Sequence, residues 1–182
     1  MERIPWEVNN SIVISDAYIA GFLDGDGSLV ARIEKRPQRR RFPYRVRLKI
    51  NFTQHIRYKW LLYSINGALD NAGAIREIPQ HNLAELVIQK REELKRIINR
   101  LTPHLVLKQR QARLMLGMVD IFDANTVNVR SSLSDKDFAK VFAMAMELRK
   151  LNSNTGGKKT EAELFGPVTT DVATTMQHDG SI

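Results

Sequence analysis

The chain has 182 residues, 43% of them hydrophobic, and no cysteine, which suits one buried core and excludes a disulfide framework or a cysteine-type zinc site. The segment 161–182 holds four acids and no Lys or Arg, so residues 1–160 carry all 28 basic residues against 16 acids, a formal +12. A body that basic predicts a polyanionic partner, nucleic acid before any other. The opening "MERIPWEVNNSIVIS" contains an acid, a proline and no long apolar run, so neither a signal peptide nor a membrane span is expected. An intracellular protein follows as the expectation, in the cytoplasm of a prokaryote or in an organelle.

In chain order, Ser15 or Asp16 can cap a helix from Ala17, with Gly25 or Gly27 ending it. From Ser28 the period changes to two: Leu29, Ala31 and Ile33 oppose Val30, Arg32 and Glu34. A second strand alternates Val46, Leu48, Ile50 and Phe52 against Arg45, Arg47, Lys49 and Asn51, so one face belongs to a core and the other is cationic. The connection "KRPQRRRFP" reads as a long basic hairpin loop. Between Ser28 and Lys49 stand nine basic residues and one acid, Glu34.

A helix follows through "RYKWLLYSINGALD", with Trp60, Leu61, Tyr63 and Ser64 expected on a mostly buried stripe. "AIREI" and "AELVI" read as short strands joined by the turn Pro79 to Asn82, and three helices follow: Lys90 to Leu101, "LKQRQARLMLGMVDIF", and a segment opened by Ser134 with Asp137. The order α-β-β-α-β-β-α-α-α predicts an α+β domain over 1–155, a four-stranded antiparallel sheet with helices on one face. Residues 156–182 read as a flexible polar tail.

"YIAGFLDGDGS" carries the chemistry. The C-terminus of a helix already concentrates unpaired carbonyls, so Asp24 and Asp26 add to a negative field and predict that a cation arrives there. Surroundings rich in oxygen, without sulfur or nitrogen ligands, suit Mg²⁺ or Ca²⁺. An EF-hand is excluded: Leu29 stands where its glycine belongs, Lys35 where its glutamate belongs, and a strand replaces the following helix. His55, His81 and His104 show no ligand spacing. A plain acidic turn would account for the DG pairs but not for acids that open onto a cationic sheet.

The stretch resembles the signature of the LAGLIDADG homing endonucleases, in particular their single-motif, homodimeric branch. The likeness extends to "FTQ" at Phe52 to Gln54 and to "LKQRQA" at Leu107 to Ala112. It implies an intron-encoded, metal-dependent nuclease with the family's DNA-binding saddle fold. Asp26 then resembles the metal-binding catalytic aspartate and the Gly25 carbonyl its co-ligand, with Mg²⁺ as cofactor and Ca²⁺ or Mn²⁺ as substitutes. Gln54 and Lys108 resemble the polar pair beside the hydrolytic water, and Asp24 a structural cap at the dimer axis. The family's further basic residue is matched by Arg57 or Lys59, with Tyr58 between them.

A single copy of the motif implies a homodimer, with Ala20 and Gly21 allowing the motif helices of two copies to approach; packing against the chain's own core is the alternative use of both. The strand faces would form a saddle over double-stranded DNA. Candidates on it are Arg32, Glu34, Arg36, Arg45, Arg47, Lys49 and Arg76, with Asn51 and Gln80 suited to adenine, and Glu85 and Gln89 added by the alternation of the fourth strand. Arg39, Arg40 and Arg41 suit phosphate contacts. Two half-sites give a target of roughly twenty base pairs. The rival expectation is a nucleic-acid binder on the same scaffold, a maturase acting on intron RNA or a regulator that does not cut.

Overall fold

The computed structural model describes residues 13–36, 44–125 and 133–152. Helix α1 spans Asp16–Gly25, and the Ser15 hydroxyl caps it by accepting the Tyr18 backbone N–H at 3.2 Å. Strand β1 (Gly27–Lys35) begins one residue later and pairs antiparallel with β2 (Tyr44–His55), in register from Gly27↔Phe52 to Lys35↔Tyr44. After a 3₁₀ turn and α2 (Lys59–Ala68), β3 (Ala74–Ile78) and β4 (Leu83–Ile88) complete an antiparallel sheet of order β1-β2-β4-β3. Helices α3 (Arg91–Leu101), α4 (Gln109–Ala124) and α5 (Asp135–Leu151) follow. The expected α+β order therefore holds, and among the described residues no helix is long and apolar enough to cross a membrane.

The period of two decides which face is wet. Leu29, Ala31 and Ile33 of β1, Val46, Leu48, Ile50 and Phe52 of β2, and Ala84, Leu86 and Ile88 of β4 are all buried and meet the helices on one side. Fully burying each larger apolar side chain contributes about 1.5–3 kcal/mol, which is why the polar residues are left to the opposite face. Phe52 stacks on Phe22 of α1 at 6.1 Å between ring centroids, fixing that helix over the end of β2. From α3, Arg100 donates to the Ala68 carbonyl at 2.9 Å and pairs with Asp16, tying the end of α2 to the start of α1. The Arg100 guanidinium holds the Asp16 carboxyl below the usual aspartate range.

The buried stripe of α2 differs from expectation. Leu62, Ile65 and Asn66 face the core, whereas Tyr63 is 56% exposed and Trp60, Leu61 and Ser64 are only partly covered. The true stripe, continued by buried Leu69, keeps the i, i+3, i+4, i+7 spacing, and the amphipathic tyrosine ring stays at the surface. Asn66 is buried because its amide closes the following turn, donating to the Gly73 carbonyl and accepting the Gly73 N–H at 3.0 Å. The basic loop residues Arg39, Arg40 and Arg41, and the segment 156–182, lie outside the described residues.

Candidate active site

The acidic end of α1 is built by close packing. Its cap is Asp26, whose N–H donates to the Phe22 carbonyl at 2.9 Å from a right-handed backbone with φ −99° and ψ 1°. Gly25 is the last residue of α1, as expected, and neither it nor Gly27 has a φ in the left-handed region. Gly27 is needed for another reason. A Cβ there would lie 2.6 Å from Leu23 Cδ1 and 2.7 Å from Leu23 Cα, so only glycine lets β1 start against the last turn of α1.

The two carboxylates have different fates. Asp24 is buried, and its side chain accepts backbone N–H groups from Val106 at 2.6 Å, Leu107 at 3.1 Å and Lys108 at 3.0 Å. Three backbone N–H donors from the segment just before α4 thus answer the charge that the end of α1 repels. Its role as a structural cap is visible within one chain, and these backbone donors had no signal in the sequence because they come from a segment 82 to 84 positions away. Asp26 remains exposed at the surface.

Lys108 reaches the acidic end of α1 from the segment before α4, and Gln54 stands near it in the strand register. The Lys108 ammonium donates to the Asp24 main-chain carbonyl at 2.5 Å. Burial lowers its pKa below the ordinary lysine value, while the Asp24 and Asp26 carboxylates pull it back up. Gln54 follows the Gly27↔Phe52 pair by two residues and Asp26 precedes it by one, so both stand at one end of the β1–β2 ladder. Its Oε1 accepts the His55 backbone N–H at 2.8 Å. Lys59 is directed elsewhere, paired with Glu77 at 2.6 Å, and that carboxylate raises its pKa. Arg57 is exposed in the 3₁₀ turn after β2, its N–H held by His55 Nδ1.

The cationic face is organised around two acids. Arg32 and Arg47 are directly opposite each other in the register, an arrangement that costs stability unless a counter-charge intervenes. Glu34 supplies it, 2.9 Å from Arg47 and 3.6 Å from Arg32. Burial first, then the neighbouring Arg47 and Arg36, lower the pKa of Arg45. Glu85 occupies the corresponding place between β2 and β3, where Arg76 and Asn51 donate to it. Lys49 is half-buried beside this acid; burial lowers its pKa and Glu85 opposes the shift.

Two expectations are corrected here. Asn51 is 7% exposed, and its Nδ2 is committed to Thr53 Oγ1 at 3.2 Å and Glu85 Oε1 at 3.3 Å, so its amide cannot present the paired donor and acceptor that adenine needs. Thr53, which shares its face, went unnoticed in the sequence although its parity on β2 places it there. Ala20 is 0% exposed in the single chain and packs in its own core, leaving nothing for a second copy to touch. Gly21 is exposed, and a Cβ added there meets nothing within 4 Å. Gln80 and Gln89 are exposed at the β3–β4 turn and just past the end of β4.

A family model described as LAGLIDADG endonuclease matches residues 19–115, more than half of the chain and the whole span from α1 to the middle of α4. The chain is 31% identical over 103 residues to DNA endonuclease I-CreI of Chlamydomonas reinhardtii, an alignment covering 57% of this chain and 61% of that protein's length. It superimposes on the homing endonuclease I-CvuI, crystallised with its target and calcium, with a TM-score of 0.64 at 25% identity, covering 79% and 83% of the two chains. The archaeal intron-encoded I-Vdi141I, crystallised with DNA, shares the fold with a TM-score of 0.65 at 23% identity, covering 80% and 88%.

Proposed function

Because this chain belongs to the LAGLIDADG endonuclease family, we propose that it is a site-specific homing endonuclease that cuts both strands of a long, roughly palindromic DNA target as a homodimer with Mg²⁺. The observation that carries this reading is that Asp26 and Gln54 stand at one end of the β1–β2 ladder, with the Lys108 ammonium on the Asp24 carbonyl next to them, at the end of a sheet whose outer face is cationic. I-CreI, by its name, and I-CvuI and I-Vdi141I, by their names and their bound DNA, support it.

The donor set fits Mg²⁺ shared with substrate. Among the described residues no group of three or more His, Cys, Asp or Glu could cage an ion. Both Asp24 oxygens are occupied by backbone N–H groups, so one chain offers the Asp26 carboxylate and the Gly25 carbonyl. Mg²⁺ is commonly held by one or two carboxylates, phosphate oxygens and water, so this partial set is sufficient. Asp26 and Gly25 would hold the ion, which when bound would supply Lewis-acid activation and neutralise charge on the departing oxygen. Gln54 would orient the attacking water by hydrogen bonding, and the Lys108 ammonium would face the charge that develops on the phosphate. Ala17, Gly21 and Gly25 recur every four residues on the exposed side of α1 and, in place of Ala20, form the stripe on which a second copy packs.

Selection of cut molecules from a randomised duplex library in Mg²⁺ tests this. The expected product is one family of related, approximately two-fold symmetric sites. Specific retention of a duplex without any strand scission, in Mg²⁺ or Mn²⁺, would instead favour a binder on the same scaffold.

A further inference from the structure

Glu85 is out of place on a surface meant for DNA. It stands mid-face, opposite Thr53 of β2 and Arg76 of β3, and its side chain is only 15% exposed. One carboxylate oxygen, Oε2, takes Arg76 Nε at 2.7 Å and Nη2 at 2.5 Å. The other takes Asn51 Nδ2, whose second hydrogen goes to Thr53 Oγ1. With two donors on Oε2 and one on Oε1, and little of the side chain exposed, the Glu85 carboxylate is spent chiefly on the chain's own donors and keeps at most one acceptor site. The arrangement is also costly, because Asn51 Oδ1 is buried and accepts no hydrogen bond from the chain, the sole such side-chain atom among the described residues.

What this geometry leaves available is the other edge of the Arg76 guanidinium. Nε and one Nη2 hydrogen are spent on Glu85, so Nη1 and the remaining Nη2 hydrogen form a parallel pair of donors on a side chain that is 59% exposed. Such a fork matches O6 and N7 of guanine. A free arginine samples many rotamers, whereas one clamped along its inner edge keeps its outer edge aimed. We propose that Glu85 is a positioning residue for sequence recognition: without touching DNA it fixes Arg76 as a guanine-reading fork, and buried Asn51 with Thr53 is the strut that holds Glu85. This deepens the proposed DNA-binding function and rests on it.

The test measures affinity, in Ca²⁺, for a preferred duplex and for the set of all its single base-pair substitutions. Wild-type protein is expected to disfavour replacement of one guanine in each half-site by about tenfold or more. Arg76→Lys, which keeps the charge and loses the fork, should bring that ratio close to one. Glu85→Gln should do the same while binding the substituted duplexes as tightly as wild type or tighter, since a negative charge has been removed. Glu85→Asp should restore part of the preference. In the Arg76→Lys background, Glu85→Gln should change the ratio no further. Full guanine preference in Glu85→Gln, an equal loss of affinity on every duplex, or additive effects of the two substitutions would overturn the proposal. Wild-type protein that discriminates among no duplexes would overturn the DNA-recognition reading itself, and this inference with it.

Discussion

Replacing Asp26 by Asn is expected to lower DNA cleavage in Mg²⁺ by on the order of a thousandfold or more, with affinity for the same duplex in Ca²⁺ kept within a few-fold. The substitution conserves shape. The Asp26 backbone N–H still caps α1 through the Phe22 carbonyl, and Gly27, which the tight approach to Leu23 demands, is untouched. What disappears is the one exposed carboxylate at the helix end, and an amide oxygen is a much poorer partner for a hard divalent cation. Affinity, by contrast, is expected to reside in the arginines and lysine of the sheet face, several strand positions away. Single-turnover cleavage and a Ca²⁺ binding isotherm, run on one preparation, separate the two effects. Near-normal cutting by the variant would remove Asp26 from the mechanism.

The neighbouring acid should behave in the opposite way. Asp24→Asn is expected to destabilise the fold by about 3 kcal/mol or more, because backbone N–H groups of Val106, Leu107 and Lys108 lose charge-assisted acceptors. The replacement also turns an NH₂ group toward one of those donors, where two hydrogens would meet and neither could be satisfied. For a chain of this size the loss corresponds to roughly 6–12 °C in Tm. Because the Lys108 ammonium rests on the Asp24 carbonyl, cleavage should fall as well, through displacement of the lysine. Thermal denaturation followed by circular dichroism measures the first effect, and a melting temperature within 2 °C of wild type, against that roughly 6–12 °C, would contradict this role for Asp24.

The contrast between the acids shows what a sequence can reveal. The strands are legible because period-two alternation in 45–52 has few physical solutions, and the structure follows it at every position except buried Asn51. The motif marked both aspartates, yet only distant packing separates them, since Asp24 is defined by backbone donors from 106–108. The buried stripe of α2 differs from the sequence pattern because an aromatic ring is apolar enough to suggest a core position while Tyr63 lies at the surface. The parity of Asn51 on β2 shows only its face; the commitment of its amide comes from Glu85 on another strand, a pairing that no local pattern encodes. Ala20 illustrates the same limit in reverse, as its small side chain serves the chain's own interior.

All of this depends on two α1 ends meeting over one stretch of duplex. The most direct measurement is the molar mass of the protein bound to its selected duplex in Ca²⁺, by light scattering coupled to size-exclusion chromatography. Two 20.8 kDa chains per duplex are expected. One chain per duplex, in a preparation that cuts both strands once Mg²⁺ is added, would contradict the account.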